Sequence, residues 1–118
     1  MVKVGILGVG TVGASVARIL EENGDIIEAR AGEKIVVKSG VVKNLSKDRG
    51  VSITLSDNPY DVVDDPEIDI VIELMGGVDE PYRLVKKALE NGTIEFTSSP
   101  YALITEVFIL ALFEIKFR

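Results

Sequence analysis

The segment Gly8-Val9-Gly10-Thr11-Val12-Gly13 follows directly on a short apolar run, Val2, Val4, Ile6 and Leu7, and this junction limits the fold more than anything else in the chain. A bounded, β-branched run of that kind reads as a buried parallel strand. The next stretch, Thr11 to Asn23, repeats Val12, Val16, Ile19 and Leu20 at helical spacing. A strand, a glycine turn and a helix in this order aim backbone N–H groups and the positive end of the helix at a diphosphate. Gly8 permits the tight turn, Gly10 lets phosphate approach without a Cβ in the way, and Gly13 lets the helix pack closely on the strand. A bare G-x-G-x-x-G is a weak signal, and the same residues can form a structural turn with no ligand. With its strand and helix in place, the motif predicts a dinucleotide site.

Past the first helix, strand-like and helix-like pieces alternate. Ile35, Val36, Val37, Gly40, Val41 and Val42 read as a second strand, or as two short ones broken at Ser39-Gly40. Ile53 to Leu55 is a short third strand. A brief helix from Pro59 to Asp64 follows, with Ser56, Asp57 or Asn58 available to cap it. Ile68, Ile70, Val71, Ile72 and Leu74 form the clearest buried strand, ended by Met75-Gly76-Gly77. Asp79 or Glu80 opens a helix whose inner face is Leu84, Val85, Ala88 and Leu89, and Asn91-Gly92 closes it. Ile94 to Thr97 is a fifth strand and Ala102 to Phe117 a last helix. This alternation predicts an α/β fold: a Rossmann-like, doubly wound parallel sheet in a three-layer α/β/α arrangement. At 118 residues the chain reads as one dinucleotide-binding domain, residues 1–118.

Composition excludes several kinds of work. The net charge of −6 argues against nucleic acid as a partner. There is no cysteine, so no disulfide, thiolate nucleophile or zinc-thiolate site. There is also no histidine, which removes the commonest general base and metal ligand. Lys3 and Gly5 interrupt the apolar start, unlike a signal peptide, and no run is long enough to span a bilayer. A cytoplasmic protein is the resulting expectation.

The end of the second strand bears on the cofactor. NAD-preferring folds place a carboxylate there for the ribose 2′-hydroxyl, whereas a basic residue suits the extra phosphate of NADP. Here the strand ends Val41-Val42-Lys43-Asn44, with Lys47 and Arg49 close behind. Lys43 tilts the expectation towards NADP over NAD. Asp57, Asp61, Asp64, Asp65, Glu67 and Asp69 match no calcium loop and read as solvated acids rather than a metal site. Glu73, in an apolar strand near its carboxyl end, reads either as a site residue or as a charge at the sheet edge. Tyr60, Tyr82 and Tyr101 read as packing residues with wet hydroxyls.

Four segments, Gly5 to Gly13, Arg18 to Gly24, Lys43 to Gly50 and Asp69 to Gly77, resemble homoserine dehydrogenase, the Glu73-Leu74-Met75-Gly76-Gly77 stretch most specifically. The similarity runs from about residue 2 to residue 97 and covers the family's N-terminal nucleotide-binding domain. Members interconvert homoserine and aspartate 4-semialdehyde with NAD or NADP, on the route from aspartate to threonine and methionine. The resemblance implies that Gly8, Val9, Gly10, Thr11, Val12 and Gly13 cradle the pyrophosphate. It also implies that Lys43 lies near the 2′-phosphate, and that Leu74, Met75 and Gly76 lie beside the nicotinamide.

The resemblance fails after the fifth strand. Where the family has a Thr-Ala-Asn-Lys-Ala-Leu type segment, this chain reads Thr97-Ser98-Ser99-Pro100-Tyr101-Ala102-Leu103, without the lysine. The family's substrate-binding and dimerisation region lies beyond this length. No catalytic residue is therefore assigned, and the expectation is cofactor binding without turnover; the alternative is a stand-alone nucleotide-binding or regulatory module. The segment Ala102 to Phe117 is apolar nearly all round. It reads as a helix buried in a larger protein or as a surface through which copies of the chain associate.

Overall fold

The structure, a computed structural model, describes residues 1–76 and 79–97. In chain order its elements are β1 (Val2–Leu7), α1 (Thr11–Glu22), α2 (Gly24–Ala31), β2 (Ile35–Val41), β3 (Thr54–Ser56), α3 (Tyr60–Val63), β4 (Ile70–Glu73), α4 (Asp79–Glu90) and β5 (Ile94–Thr97). The strands form one sheet in the order β3-β2-β1-β4-β5, every pair parallel. The sequence order reverses beside β1, the place where doubly wound sheets open a crevice at their carboxyl ends. The Rossmann-like reading holds.

Helices cover both faces. On one side Val4, Ile6 and Val9 pack with Ala14 and Ala17 of α1. On the other, Leu7, Val41 and Val71 pack with Val62 and Val63 of α3 and with Leu84 and Ala88 of α4. The inner face of α1 differs from the apolar repeat read from the sequence. Its buried residues are Gly13, Ala14 and Ala17, while Val12 and Ile19 stand 62% and 56% exposed. The helix lies near the sheet with small side chains directly beneath it; Val16 of the expected repeat packs at the margin of the same cluster, whereas Val12 and Ile19 are turned out. In α4 the reading was closer: Pro81, Leu84, Val85 and Ala88 are buried. Its end is tied by Asn91, whose side-chain amide donates to the Val63 carbonyl at 2.9 Å.

Other boundaries moved. The region from Asp25 to Lys34, to which the sequence pattern assigned no element, contains a separate helix, α2, which buries no residue. The second strand is continuous rather than broken at Ser39-Gly40. Its register against β1 slips between Val4 and Gly5, leaving Lys38 as an extra, bulged residue. The third strand starts one residue later than expected, and the fourth starts at Ile70 rather than Ile68. Of the three tyrosines, Tyr60 and Tyr82 are 47% and 44% exposed, so they pack less than expected; Lys87 rests its ammonium 5.1 Å from the Tyr60 ring centre. Tyr101 and the helix expected over Ala102 to Phe117 lie outside the described residues.

Candidate functional site

At the carboxyl ends of β1, β2 and β4 a cleft of about 360 Å³ opens. Gly8, Val9 and Gly10 form one wall and Leu74, Met75 and Gly76 another, with Lys43 and Arg49 contributed by the chain after β2. Seven of the ten residues singled out from the sequence therefore line one cavity. The other three begin α1: Thr11 and Val12 are exposed, and Gly13 is buried beneath the turn.

Each glycine of the turn has a different geometric task. Gly8 has φ +97°, and a Cβ there would lie 2.9 Å from the Leu74 carbonyl carbon and oxygen, so the turn is pressed against the end of β4. A Cβ on Gly13 would lie 2.2 Å from the Gly8 carbonyl oxygen. Around Gly10 nothing lies within 4 Å of that position. Two glycines thus close the turn on itself, and the third leaves an open approach to its backbone.

The amides divide in the same way. Those of Gly8 and Val9 both donate to the Val41 carbonyl at 3.0 Å, tying the turn to β2. The Ala14 amide donates to the Gly10 carbonyl at 2.9 Å. Among the described residues, the amides of Gly10, Thr11, Val12 and Gly13 have no backbone partner. These are the orphan donors of a helix start, and they carry its partial positive charge. A diphosphate over the open side of Gly10 would satisfy them, so the residues present fit the phosphate bridge of a dinucleotide.

Arg49 was noted in the sequence only as a nearby charge. Its guanidinium donates to the Val9 carbonyl at 3.2 Å and to the Asn44 carbonyl at 3.3 Å, bracing the loop after β2 against the glycine turn. Lys43 is exposed at the same side of the cleft. Asp57 and Glu80 also reach this cleft, and neither was singled out for it. Their link to Gly10 is tertiary, so sequence spacing offered no signal for them.

Glu73 is fully buried, which rules out the reading of a charge at a wet edge. Its Oε1 accepts the Met75 amide at 2.7 Å. On the neighbouring strand Glu95 is 8% exposed, and neither of its carboxylate oxygens has a partner among the described residues. Burial, with the Glu73 charge as a second cause, pushes the Glu95 carboxyl up to about 9.

Five of the six acids read as solvated, all but Asp57, have partners among the described residues. Asp65 and Glu67 pair with Lys38, Glu67 also with Lys3, and Asp61 accepts the Ser56 hydroxyl. Among the described residues no group of acids is arranged to hold a metal ion, and no helix is long and apolar enough to cross a membrane. A larger cleft of about 500 Å³ lies between α1, α2 and β2. Glu21, Glu22, Asp25 and Glu28 line it against Lys34 and Lys38, so its charge is net negative, and it holds no glycine turn.

Comparison with known proteins agrees with this geometry. Residues 8–116 match the family model described as homoserine dehydrogenase, NAD binding domain. The homoserine dehydrogenase of Helicobacter pylori is 48% identical over 86 residues, which cover 73% of this chain and 20% of that protein. The Bacillus subtilis enzyme is 38% identical over 93 residues, or 76% of this chain and 22% of the other. Among solved structures, the homoserine dehydrogenase of Thiobacillus denitrificans superposes with a TM-score of 0.85 at 39% identity, covering 96% of this chain and 27% of its own. One from S. aureus gives 0.85 at 28% identity, covering 96% and 31%. The chain thus spans about a fifth of the length of the curated relatives it matches.

Proposed function

The chain belongs to the family of homoserine dehydrogenase NAD-binding domains, and on that footing we propose that the cleft beside Gly10 holds NADP in preference to NAD. The observation that carries this reading is the set of amides from Gly10 to Gly13, without backbone partners among the described residues, at the helix end that opens on the cleft. Gly8 and Gly13 keep those amides in place. Gly10 leaves the space through which the diphosphate reaches them. Lys43 and Arg49 supply positive charge at the adenosine 2′-phosphate, and Leu74, Met75 and Gly76 form the wall beside the nicotinamide. When bound, the nicotinamide ring accepts or supplies a hydride.

In a protein of its relatives' length, this cleft would serve the interconversion of homoserine and aspartate 4-semialdehyde in the cytoplasm, on the way to threonine and methionine. The 118-residue chain by itself binds cofactor without turning over homoserine. Hydride transfer needs substrate and an acid or base held against the ring, and Thr97 to Leu103 lacks the lysine of the family segment. Copies of the chain associate through the apolar stretch 102–117, so sedimentation should find oligomers of the full chain and monomers once that stretch is removed.

Thermal shift with NADPH, NADH and ATP tests the cofactor reading. A ligand at about 100 times its dissociation constant stabilises the native state by roughly 2.7 kcal/mol. NADPH should raise the melting temperature at lower concentration than NADH, and ATP should have the least effect. Equal responses to NADPH and NADH would remove the 2′-phosphate assignment, and no response to any dinucleotide would remove the site.

A further inference from the structure

Glu73 stands at the carboxyl end of β4, within the apolar run Ile70-Val71-Ile72, and its side chain is fully buried. Val71 lies on the same face and packs with Leu84 and Ala88 of α4, so a branched apolar side chain at position 73 would suit the fold. The carboxylate therefore needs a reason other than packing.

Its hydrogen bond supplies one. After β4 the chain turns through Leu74 and Met75, whose amides are fixed from different directions: Leu74 donates to the Leu7 carbonyl at 2.8 Å and Met75 to Glu73 Oε1 at 2.7 Å. This same backbone abuts the glycine turn, since a Cβ on Gly8 would lie 2.9 Å from the Leu74 carbonyl and 3.0 Å from the Met75 nitrogen. Any movement of Met75 therefore changes the width of the cleft.

We propose that Glu73 is a positioning residue, holding the Met75 amide so that Leu74, Met75 and Gly76 present a fixed wall to the nicotinamide half of the cofactor. This rests on the cofactor reading above. Neighbouring Glu95 lies on the same face of β5, since Val71 is in register with Glu95 and Glu73 with Thr97. Held neutral by burial, it adds no second charge beside the bond.

The test compares two ligands that share an adenosine half. NADPH and 2′-phospho-ADP-ribose, which lacks the nicotinamide, are titrated calorimetrically into the parent chain, Glu73→Leu and Glu73→Gln. The parent should bind NADPH more tightly than the fragment. Glu73→Leu should lose about tenfold in NADPH affinity, the equivalent of one unsatisfied amide, with the fragment unchanged. Glu73→Gln keeps an oxygen that can accept the Met75 amide, and should restore NADPH binding. Equal loss in both variants would assign the effect to charge and overturn the proposal, as would parallel loss of both ligands or unchanged NADPH binding in Glu73→Leu. Should Glu73→Leu not fold, hydrogen exchange of the Met75 amide in the parent and Glu73→Gln decides: slow exchange in both supports the bond, and fast exchange in the parent refutes it. A parent that binds neither ligand would overturn the cofactor reading itself.

Discussion

The two ends of the sheet treat their polar groups in opposite ways. At the amino ends of the strands, Lys3 pairs with Glu67 at 3.0 Å, Lys38 with Glu67 at 2.9 Å and also with Asp65, and Asp69 accepts the Lys3 amide at 2.9 Å. The ion pairs raise the Lys38 ammonium above its ordinary range and lower the Asp65 carboxyl, and they hold Glu67 down to about 2. Towards the carboxyl ends, Gly8 sits at φ +97°, and the amides of Gly10 to Gly13 lack backbone partners among the described residues. There too, Arg49 Nε is buried without a partner among the described residues, and between the two ends, level with Val71, both Glu95 oxygens are buried without one. One end closes its own bonds; the other leaves donors for a ligand and carries the cost in stability.

The largest expected effect comes from relieving the burial of unpartnered Glu95, which lies between the two ends. Its carboxyl is at about 9 in the folded chain against an ordinary 4.5. Between those values the folded chain keeps a proton that the unfolded chain has released, so stability falls as pH rises. The slope is about 1.4 kcal/mol per pH unit, giving an upper figure of about 3 kcal/mol at pH 7. Glu95→Val should recover most of this at neutral pH and progressively less towards pH 4.5. Urea midpoints at acidic and neutral pH read the difference. A variant no more stable than its parent at neutral pH would show that the buried Glu95 carboxyl is not a weak point of the sheet.

Next comes Gly13, where a Cβ would meet the Gly8 carbonyl oxygen at 2.2 Å. Gly13→Ala should destabilise by about 2 kcal/mol, in the range of overpacking elsewhere, despite alanine's better helix propensity. Gly24→Ala is the control, because nothing lies within 4 Å of its added Cβ. If calorimetry found both variants equally stable, the close approach of α1 to the turn would be refuted. Gly10→Ala separates binding from folding at the same end. Its stability should stay within about 0.5 kcal/mol of the parent, the range of harmless surface changes. NADPH affinity should nevertheless fall about tenfold or more, since the methyl enters the diphosphate's path. Unchanged affinity in titration would move the phosphate away from this turn.

The same contrast explains what was legible in the sequence. The junction at Leu7-Gly8 was readable because strand run, glycine spacing and helix are contiguous. The fourth helix was readable because Leu84, Val85 and Ala88 repeat on one face and Asn91-Gly92 ends them. The third and fourth strands drifted by one or two residues at their edges, as local pattern seldom fixes where pairing begins. Helix α2 left no signal: it buries nothing and so carries no apolar stripe, and Asn23 serves as both the end of α1 and the start of α2. Small residues hid the inner face of α1, because Gly13, Ala14 and Ala17 do not register as a hydrophobic repeat. At the site, Arg49 reaches the carbonyl of a residue 40 positions away, and Glu95 is buried only because α4 packs against β5. Such facts belong to the tertiary arrangement, and no window of sequence contains them.

The amino end should give the smallest effect, and the contrast depends on it. Lys38 and Glu67 are at the surface, where water and salt screen each pair and side-chain ordering offsets much of the attraction. Lys38→Met should therefore lower the melting temperature only slightly at neutral pH. Its mark should be clearer in acid. Because Glu67 is held down to about 2 from an ordinary 4.5, its contribution is present above 4.5 and disappears as pH falls through 2. Removing Lys38 takes away the first cause of that depression, although Lys3 still acts on Glu67. Melting curves collected from pH 5 down to pH 2 should thus be flatter in Lys38→Met than in the parent. A steeper variant curve, or a neutral-pH loss as large as that of Gly13→Ala, would mean that the amino end carries strain of its own and that the two ends are not built on opposite terms.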